Sequence, residues 1–361
     1  MIDQSESLSV TQKVLPRISV ALPVYNGAAH LEEAIDSILT QTVSDFELII
    51  INDGSTDSSL EILTRYAQAN PRIRLVSREN RNVAATLNEI AQIAHGEWIA
   101  RMDQDDIAFP DRFEKQLKWL EQTGADICGC WIETFGDGPS HVLRHGQSDA
   151  AVKMEMLFCS PLAHPSVLMR KSVLEALPYN EVGWQAEDYD LWVRAAERGF
   201  KMTNVPEVLL HYRVHASQIS RKSNEAQLAL SNALRRRYWH FVFADLGLDE
   251  TLIEEVLKLR ESDCPQSDPA KLYLAFSGLL ARNEGEARDV IFDHLRRLCF
   301  RAAATSSSIV RLWKKLCTEF NHPVEAKTIV IFYVLFVCRI SPDGNFFHWL
   351  KELYTSMRKQ G

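Results

Sequence analysis

The chain predicts an α/β fold: a mostly parallel sheet flanked by helices, with an α-helical extension behind it. Three observations carry that expectation. Short apolar runs fit for buried strands alternate with segments of helical period through residues 18–101. The links between them suit only right-handed crossovers, which make successive strands parallel and cover both faces of the sheet. From residue 225 onward the pattern is nearly all helical.

Taken in order, residues 18–25 (ISVALPVY) form the first strand and Asn26-Gly27 turns it. Leu31, Ala34, Ile35, Ile38 and Leu39 then recur at helical spacing. Residues 46–51 (FELIII) are a second strand, closed by Asn52-Asp53-Gly54-Ser55-Thr56-Asp57. Gly54 permits a tight backbone there, and Thr56 or Asp57 caps the helix that follows through Leu60, Leu63 and Tyr66. Residues 73–77 make a third strand, Asn80-Arg81-Asn82 a turn, and residues 83–94 a helix. Asparagine tolerates a left-handed backbone, so Asn82 can hold that turn.

Residues 97–106 (EWIARMDQDD) open as the fourth strand and break into Asp103, Asp105 and Asp106. Carboxylates so close repel unless a cation or a ligand's donors compensate. Hard oxygen ligands two apart suit Mg²⁺ or Mn²⁺, which takes its remaining ligands from water and phosphate. Asp53 and the Asp103/Asp105 pair both lie just past strand C-termini, the edge where open α/β sheets bind ligands.

Beyond the acids, Pro110-Asp111 starts a helix with Phe113, Leu117 and Leu120 on one face. Residues 126–132 and 166–169 read as strands, with residues 154–158 helical between them. Glu187-Asp188-Tyr189-Asp190 leads into a helix through Leu191, Val193 and Ala196, and residues 208–214 form a strand. Breaks fall at 262–269 and 302–308. The apolar run at 328–338 is short of the roughly 20 residues a spanning helix needs, so it predicts a buried core helix. Lys327, Arg339 and the aromatics beyond keep an interfacial helix open. The division expected is a lead-in at 1–16, an α/β domain at 17–221 and a helical region at 222–361.

Composition narrows the function. Residues 1–221 carry 20 Lys and Arg against 31 Asp and Glu, a net −11, which argues against a nucleic-acid groove. Residues 222–361 carry 20 against 17, a net +3, and leave a membrane surface or an acidic partner open. The 7 cysteines lack C-x-x-C spacing, which argues against a zinc site and a disulfide framework alike. With no secretory signal at residues 1–12, a reducing cytoplasm is expected.

Five motifs resemble, in order and spacing, the family 2 glycosyltransferases, inverting nucleotide-sugar enzymes of the GT-A fold. They are ALPVYNG (21–27), INDGSTDSS (51–59), ARMDQDD (100–106), EDYDLW (187–192) and YRVHASQIS (212–220). The resemblance implies that Pro23, Val24 and Tyr25 border the nucleotide base and that Asp53 accepts from the base's ring N–H. It implies that Asp103 faces the ribose or the metal-bound waters and that Asp105 ligates Mg²⁺ or Mn²⁺ beside the diphosphate. Asp188 resembles the catalytic base, with Glu187 orienting the acceptor. The alternative for that pair is a helix N-cap with a first-turn acid. His215 is a further metal or diphosphate contact or a surface histidine, and Arg213 a diphosphate contact or an ion-pair partner.

The function implied is metal-dependent, inverting transfer from a nucleotide sugar, expected to be a UDP-sugar, to a hydroxyl acceptor. Bacterial surface-polysaccharide assembly on a glycan or lipid-linked acceptor is the expected setting, cytoplasmic or peripheral on the inner membrane face. The tail beyond 222 would serve as acceptor lid, oligomer contact or membrane dock. The rival is a binding module of the same fold that holds a sugar nucleotide or glycan without turnover; the intact acids at 103, 105 and 188 argue against it. A nucleotidyltransferase would bring a lysine to the loop at Asn26-Gly27-Ala28-Ala29-His30, and none is there.

Overall fold

The computed structural model describes residues 15–215, 225–259, 267–304, 306–340 and 347. In chain order the first elements are β1 (Ile18–Val24), α1 (Leu31–Leu39), β2 (Phe46–Asp53), α2 (Ser59–Ala69), β3 (Ile73–Arg78) and α3 (Val83–Ile93). Then come β4 (Trp98–Arg101), β5 (Ile107–Ala108), α4 (Arg112–Thr123), β6 (Ile127–Gly136), β7 (Val142–Leu143) and α5 (Asp149–Glu155). They are followed by β8 (Leu168–Arg170), α6 (Lys171–Ala176), α7 (Glu187–Glu197) and β9 (Met202–Val214). The tail holds α8 (Glu225–Asp245), α9 (Ile253–Lys258), α10 (Pro269–Ala281), α11 (Gly285–Ala302), α12 (Ser307–Glu319) and α13 (Ala326–Val337).

The strands form one sheet in the order β3-β2-β1-β4-β8-β6-β9-β5, with β7 beside β6. β3, β2, β1 and β4 are parallel to their neighbours in that row. Beyond them the β4–β8, β6–β8, β5–β9 and β6–β7 pairs are antiparallel. The expected α/β fold, with its mostly parallel sheet and helical tail, is present. All eight residues of β2 are buried, as a strand covered on both faces requires, whereas β3 at the edge buries only Ile73.

By packing, the chain divides into two units that interleave along the sequence. The first takes Met1–Leu143, Ala163–Trp184 and Glu207–Ala216; the second takes Arg144–Leu162, Gln185–Pro206 and Ser217–Gly361. Residues 144–162 and 185–206, inside the stretch assigned to an α/β domain at 17–221, thus pack with the tail.

In the first unit Asn82 holds φ +87° and its side chain caps α3, accepting from the Ala85 N–H at 3.0 Å. At α2 the N-cap is Ser58 rather than the expected Thr56 or Asp57, and Asp57 just before it accepts from the Ser59 N–H at 3.0 Å. Cys128 and Cys130 are fully buried on β6.

In the second unit Trp239 on α8 donates from Nε1 to the Leu157 carbonyl at 2.8 Å. Glu286 in the first turn of α11 accepts from the Gln147 and Ser148 N–H groups at 2.6 and 2.8 Å, joining α11 to the start of α5. Two expectations need correction here. The helix placed at 154–158 begins at Asp149, because Ser148 caps it by accepting from the Ala151 N–H. The run at 328–338 is not a buried core helix. α13 buries Thr328, Phe332 and Leu335, while Val330, Tyr333, Val334 and Val337 lie exposed. Its outer side is apolar without being core. Among the described residues no helix is long and apolar enough to cross a membrane. The break expected at 262–269 falls largely outside the described residues; the one at 302–308 is the joint between α11 and α12.

Candidate active site

The parallel half of the sheet decides what meets at its C-terminal edge. β1 lies between β2 and β4, with Val24 opposite Asn52 and Ala21 opposite Arg101. The end of β1 (Pro23, Val24, Tyr25) is therefore flanked by Asp53 on one side and the acidic turn on the other.

At that turn, ligand oxygens of Asp103, Asp105 and Asp106 lie within 4.8 Å of one another. Their surroundings differ. Asp103 pairs with Arg101, itself buried in β4. Asp105 Oδ2 meets His215 Nε2 at 2.9 Å. Asp106 is fully buried: Oδ1 accepts from the Arg213 N–H at 2.8 Å, and Oδ2 has no hydrogen-bond partner among the described residues. Burial, reinforced by the charges of Asp103 and Asp105, pushes the Asp106 carboxyl well above the usual carboxylate range. A buried carboxylate oxygen without a donor, in a cluster of three acids beside an imidazole, fits a hard divalent cation. Cations also support the turn from behind. Arg112, fully buried on α4, donates to the Arg101 carbonyl at 2.8 Å, and burial lowers its guanidinium to about 10.

The base side is equally defined. Asp53 is buried, pairs with Arg78, and accepts at Oδ1 from the Arg81 N–H at 2.9 Å. Arg78 also donates to Glu89 at 2.7 Å and Thr86 at 2.9 Å, so β3 and α3 hold it in place. Gly54 adopts φ +77°, and a Cβ there would stand 2.7 Å from the Asn80 nitrogen. The loops after β1 and β2 are stitched together. Asn26 donates its N–H to Ser55 at 2.9 Å and accepts from the Thr56 N–H at 2.8 Å. Gly27 donates to Ser59 at 2.9 Å and Ala28 to Asp57 at 3.1 Å.

Gln104, the middle residue of the D-x-D, clips the acidic turn to β1. It accepts from the Tyr25 N–H at 2.9 Å and donates to the Tyr25 carbonyl at 3.0 Å. Tyr25 itself is half exposed. A Cβ on Gly27 would collide with the Gln104 amide and displace it.

Arg213 does two things. Nε donates to the Asp105 carbonyl at 2.8 Å, and the head pairs with Glu33 over the Phe135 ring. The ion pair, one of its two expected roles, is present. His30 sits 5.4 Å from His215, ring to ring; burial first, then the charges of Arg213 and His215, lower its pKa.

Asp188 and Glu187 belong to the second unit, in the first turn of α7. The helix N-cap is Ala186, so neither acid is the cap, and the first-turn placement is the half of the alternative that holds. Asp188 Oδ2 accepts from the Ser160 hydroxyl at 3.2 Å. Tyr189, the next residue, donates its hydroxyl to the Met156 carbonyl at 2.6 Å and anchors the turn.

Sequence reasoning passed over Arg78, Arg101, Gln104, His30 and Ser160. A signal existed for Arg101, since a cation inside a buried strand has to be paired. Gln104 and Ser160 carry no such signal.

The model of glycosyl transferase family 2 matches residues 19–177. An uncharacterized glycosyltransferase of Haemophilus influenzae is 31% identical over 259 residues, covering 67% of this chain and 79% of the relative. The O-antigen biosynthesis glycosyltransferase WbnJ of Escherichia coli is 32% identical over 208 residues, 56% of this chain and 82% of that one. Among solved structures, S. aureus TarS 1-349 in complex with UDP matches with a TM-score of 0.51 at 15% identity, covering 89% of this chain and 90% of that chain. That last likeness is one of fold.

Proposed function

The chain belongs to glycosyl transferase family 2 and is a glycosyltransferase, and from that premise we propose metal-dependent, inverting transfer of a sugar from a nucleoside-diphosphate donor to a hydroxyl acceptor. The observation that carries the reading is the set of three carboxylates past β4, beside His215, with one buried oxygen lacking a donor. Asp105, Asp103 and His215 would hold Mg²⁺ or Mn²⁺. The bound ion would neutralise the diphosphate as it leaves, where charge develops in the transition state. Tyr25, with Pro23 and Val24, borders the base, and Asp53 accepts from its ring N–H through the oxygen that Arg81 does not use. Arg213 holds the Asp105/Asp106 turn, and contact with the diphosphate is its second role in this reading.

In this reading Asp188 takes the proton of the acceptor hydroxyl, which attacks the anomeric carbon opposite the leaving group in one displacement. Glu187 orients the acceptor. In this reading the donor is a UDP-sugar and the setting is assembly of an O-antigen or capsule on a lipid-linked glycan; the name of WbnJ supports the O-antigen part alone. The net +3 tail and the exposed apolar side of α13 support a cytoplasmic enzyme docking peripherally on an anionic inner membrane face.

A panel of nucleotide sugars scanned by thermal shift, with and without Mn²⁺, tests the donor: stabilisation by one sugar nucleotide only when Mn²⁺ is present is expected. Asp188→Asn is expected to keep that shift and lose transfer. Transfer at the wild-type rate by Asp188→Asn would remove Asp188 as the base.

A further inference from the structure

Away from the sugar-nucleotide residues, the second unit brings together side chains that lie far apart in sequence. Glu155 ends α5, Cys159 follows one helical turn later, and His294 projects from α11. Glu155 Oε1 lies 3.9 Å from Cys159 Sγ and 3.9 Å from His294 Nε2, and one ligand atom from each of the three falls within 4.8 Å of the others. In a tetrahedral zinc site with bonds of about 2.0–2.3 Å, ligand atoms stand roughly 3.3–3.8 Å apart. The two separations from Glu155 are within a few tenths of an ångström of that range, and the third, between Cys159 and His294, is under 4.8 Å.

The surroundings orient these groups toward that point. His145 Nδ1 meets the same Glu155 Oε1 at 3.0 Å, and the Gly146 N–H donates to Oε2 at 2.8 Å, so both oxygens of the carboxylate are held in place, as outer partners hold metal-bound carboxylates. The His294 ring stacks on Phe158 at 4.5 Å with an interplanar angle of 3°, which sets the direction of Nε2. Glu155 and His294 are buried, whereas Cys159 is only half-buried and gives an entry path. C-x-x-C spacing could not reveal this group, because its members come from two segments of the chain.

We propose that Glu155, Cys159 and His294 form a binding site for one thiolate-favouring divalent ion, Zn²⁺ foremost, which staples α5 to α11. A thiolate, an imidazole and a carboxylate select zinc over the hard ions that suit an all-aspartate cluster. The site is structural in effect: it ties the tail to the segment at 145–159, alongside the Glu286 contacts to Gln147 and Ser148.

Co²⁺ added to the purified full-length protein is the test, because a Co²⁺–thiolate bond gives a near-ultraviolet charge-transfer band that aspartate sites cannot give. The band is expected in the wild type, in Asp105→Ala and in Cys338→Ser, and absent from Cys159→Ser. His145→Gln, beside the carboxylate, is expected to weaken Zn²⁺ in chelator competition by about 10–100-fold. Zn²⁺ should raise the melting temperature of the wild type and not that of Cys159→Ser. Should Cys159→Ser fail to fold, His294→Gln serves in its place. No thiolate band in the wild type, or a band that survives Cys159→Ser, overturns the site. Either result leaves the Asp105 reading untouched, since Asp105→Ala reports on that cluster separately.

Discussion

The two ends of the parallel strands treat buried charge in opposite ways. At the N-terminal end Glu47 is saturated. It accepts from the Ser19 hydroxyl at 2.7 Å, Arg74 at 2.8 Å and the His95 N–H at 2.7 Å. Burial would raise its pKa, but these bonds outweigh burial and hold the carboxyl at about 2. At the C-terminal end, three carboxylates crowd together, and the buried one is driven up instead of down. A hollow of about 660 Å³ opens at the saturated end, lined in part by Arg17, His95, Glu97 and Arg170. A hollow by itself therefore does not mark a site. The proposed site lies at the end that leaves a buried carboxylate oxygen without a donor, which has something to offer a cation.

Four experiments would break or sharpen that contrast. The largest effect is expected from Asp105→Ala, with transfer lower by about 10²–10³-fold and the Mn²⁺-dependent donor shift lost, read in a transfer assay and by thermal shift. Retained Mn²⁺ dependence would break the contrast. At the other end Glu47→Ala should cost about 2 kcal/mol in denaturant unfolding, by stripping Ser19, Arg74 and His95 of their common acceptor, with turnover per folded molecule unchanged. The pH response comes next. The folded pKa of Glu47 lies below its ordinary 4.5, so its stabilisation is complete above that value and fades as pH falls toward about 2. Melting temperatures of the wild type and Glu47→Gln should therefore converge across that window; parallel curves would remove the Glu47 contribution. Smallest is Gly27→Ala, which pushes Gln104 off Tyr25. A few-fold loss of donor affinity with little change in melting temperature is expected, by titration calorimetry.

Much of this was legible from local pattern. Alternating periods gave the β1-to-β4 row, and like charges at a strand end marked Asp103 and Asp105. Asparagine at 82 pointed to a left-handed turn, which φ +87° bears out. What escaped depends on partners distant in sequence. Gln104 is an ordinary residue until Tyr25 is beside it, and Ser160 is one until Asp188 is. The run at 328–338 is apolar on every side, so no periodicity distinguishes its buried residues from Val330 and Val337.

The interleaving of the two packing units carries a consequence for biosynthesis. The first unit draws on residues as late as Ala216, and the second needs α11 before residues 144–162 have their partner. During translation the early strands can pair on the ribosome, while α5 waits for well over a hundred residues to emerge. A protein ending at 221 would leave α5 without α11 and α7 without α8, so chaperone dependence and aggregation are the outcomes to expect from such a truncation.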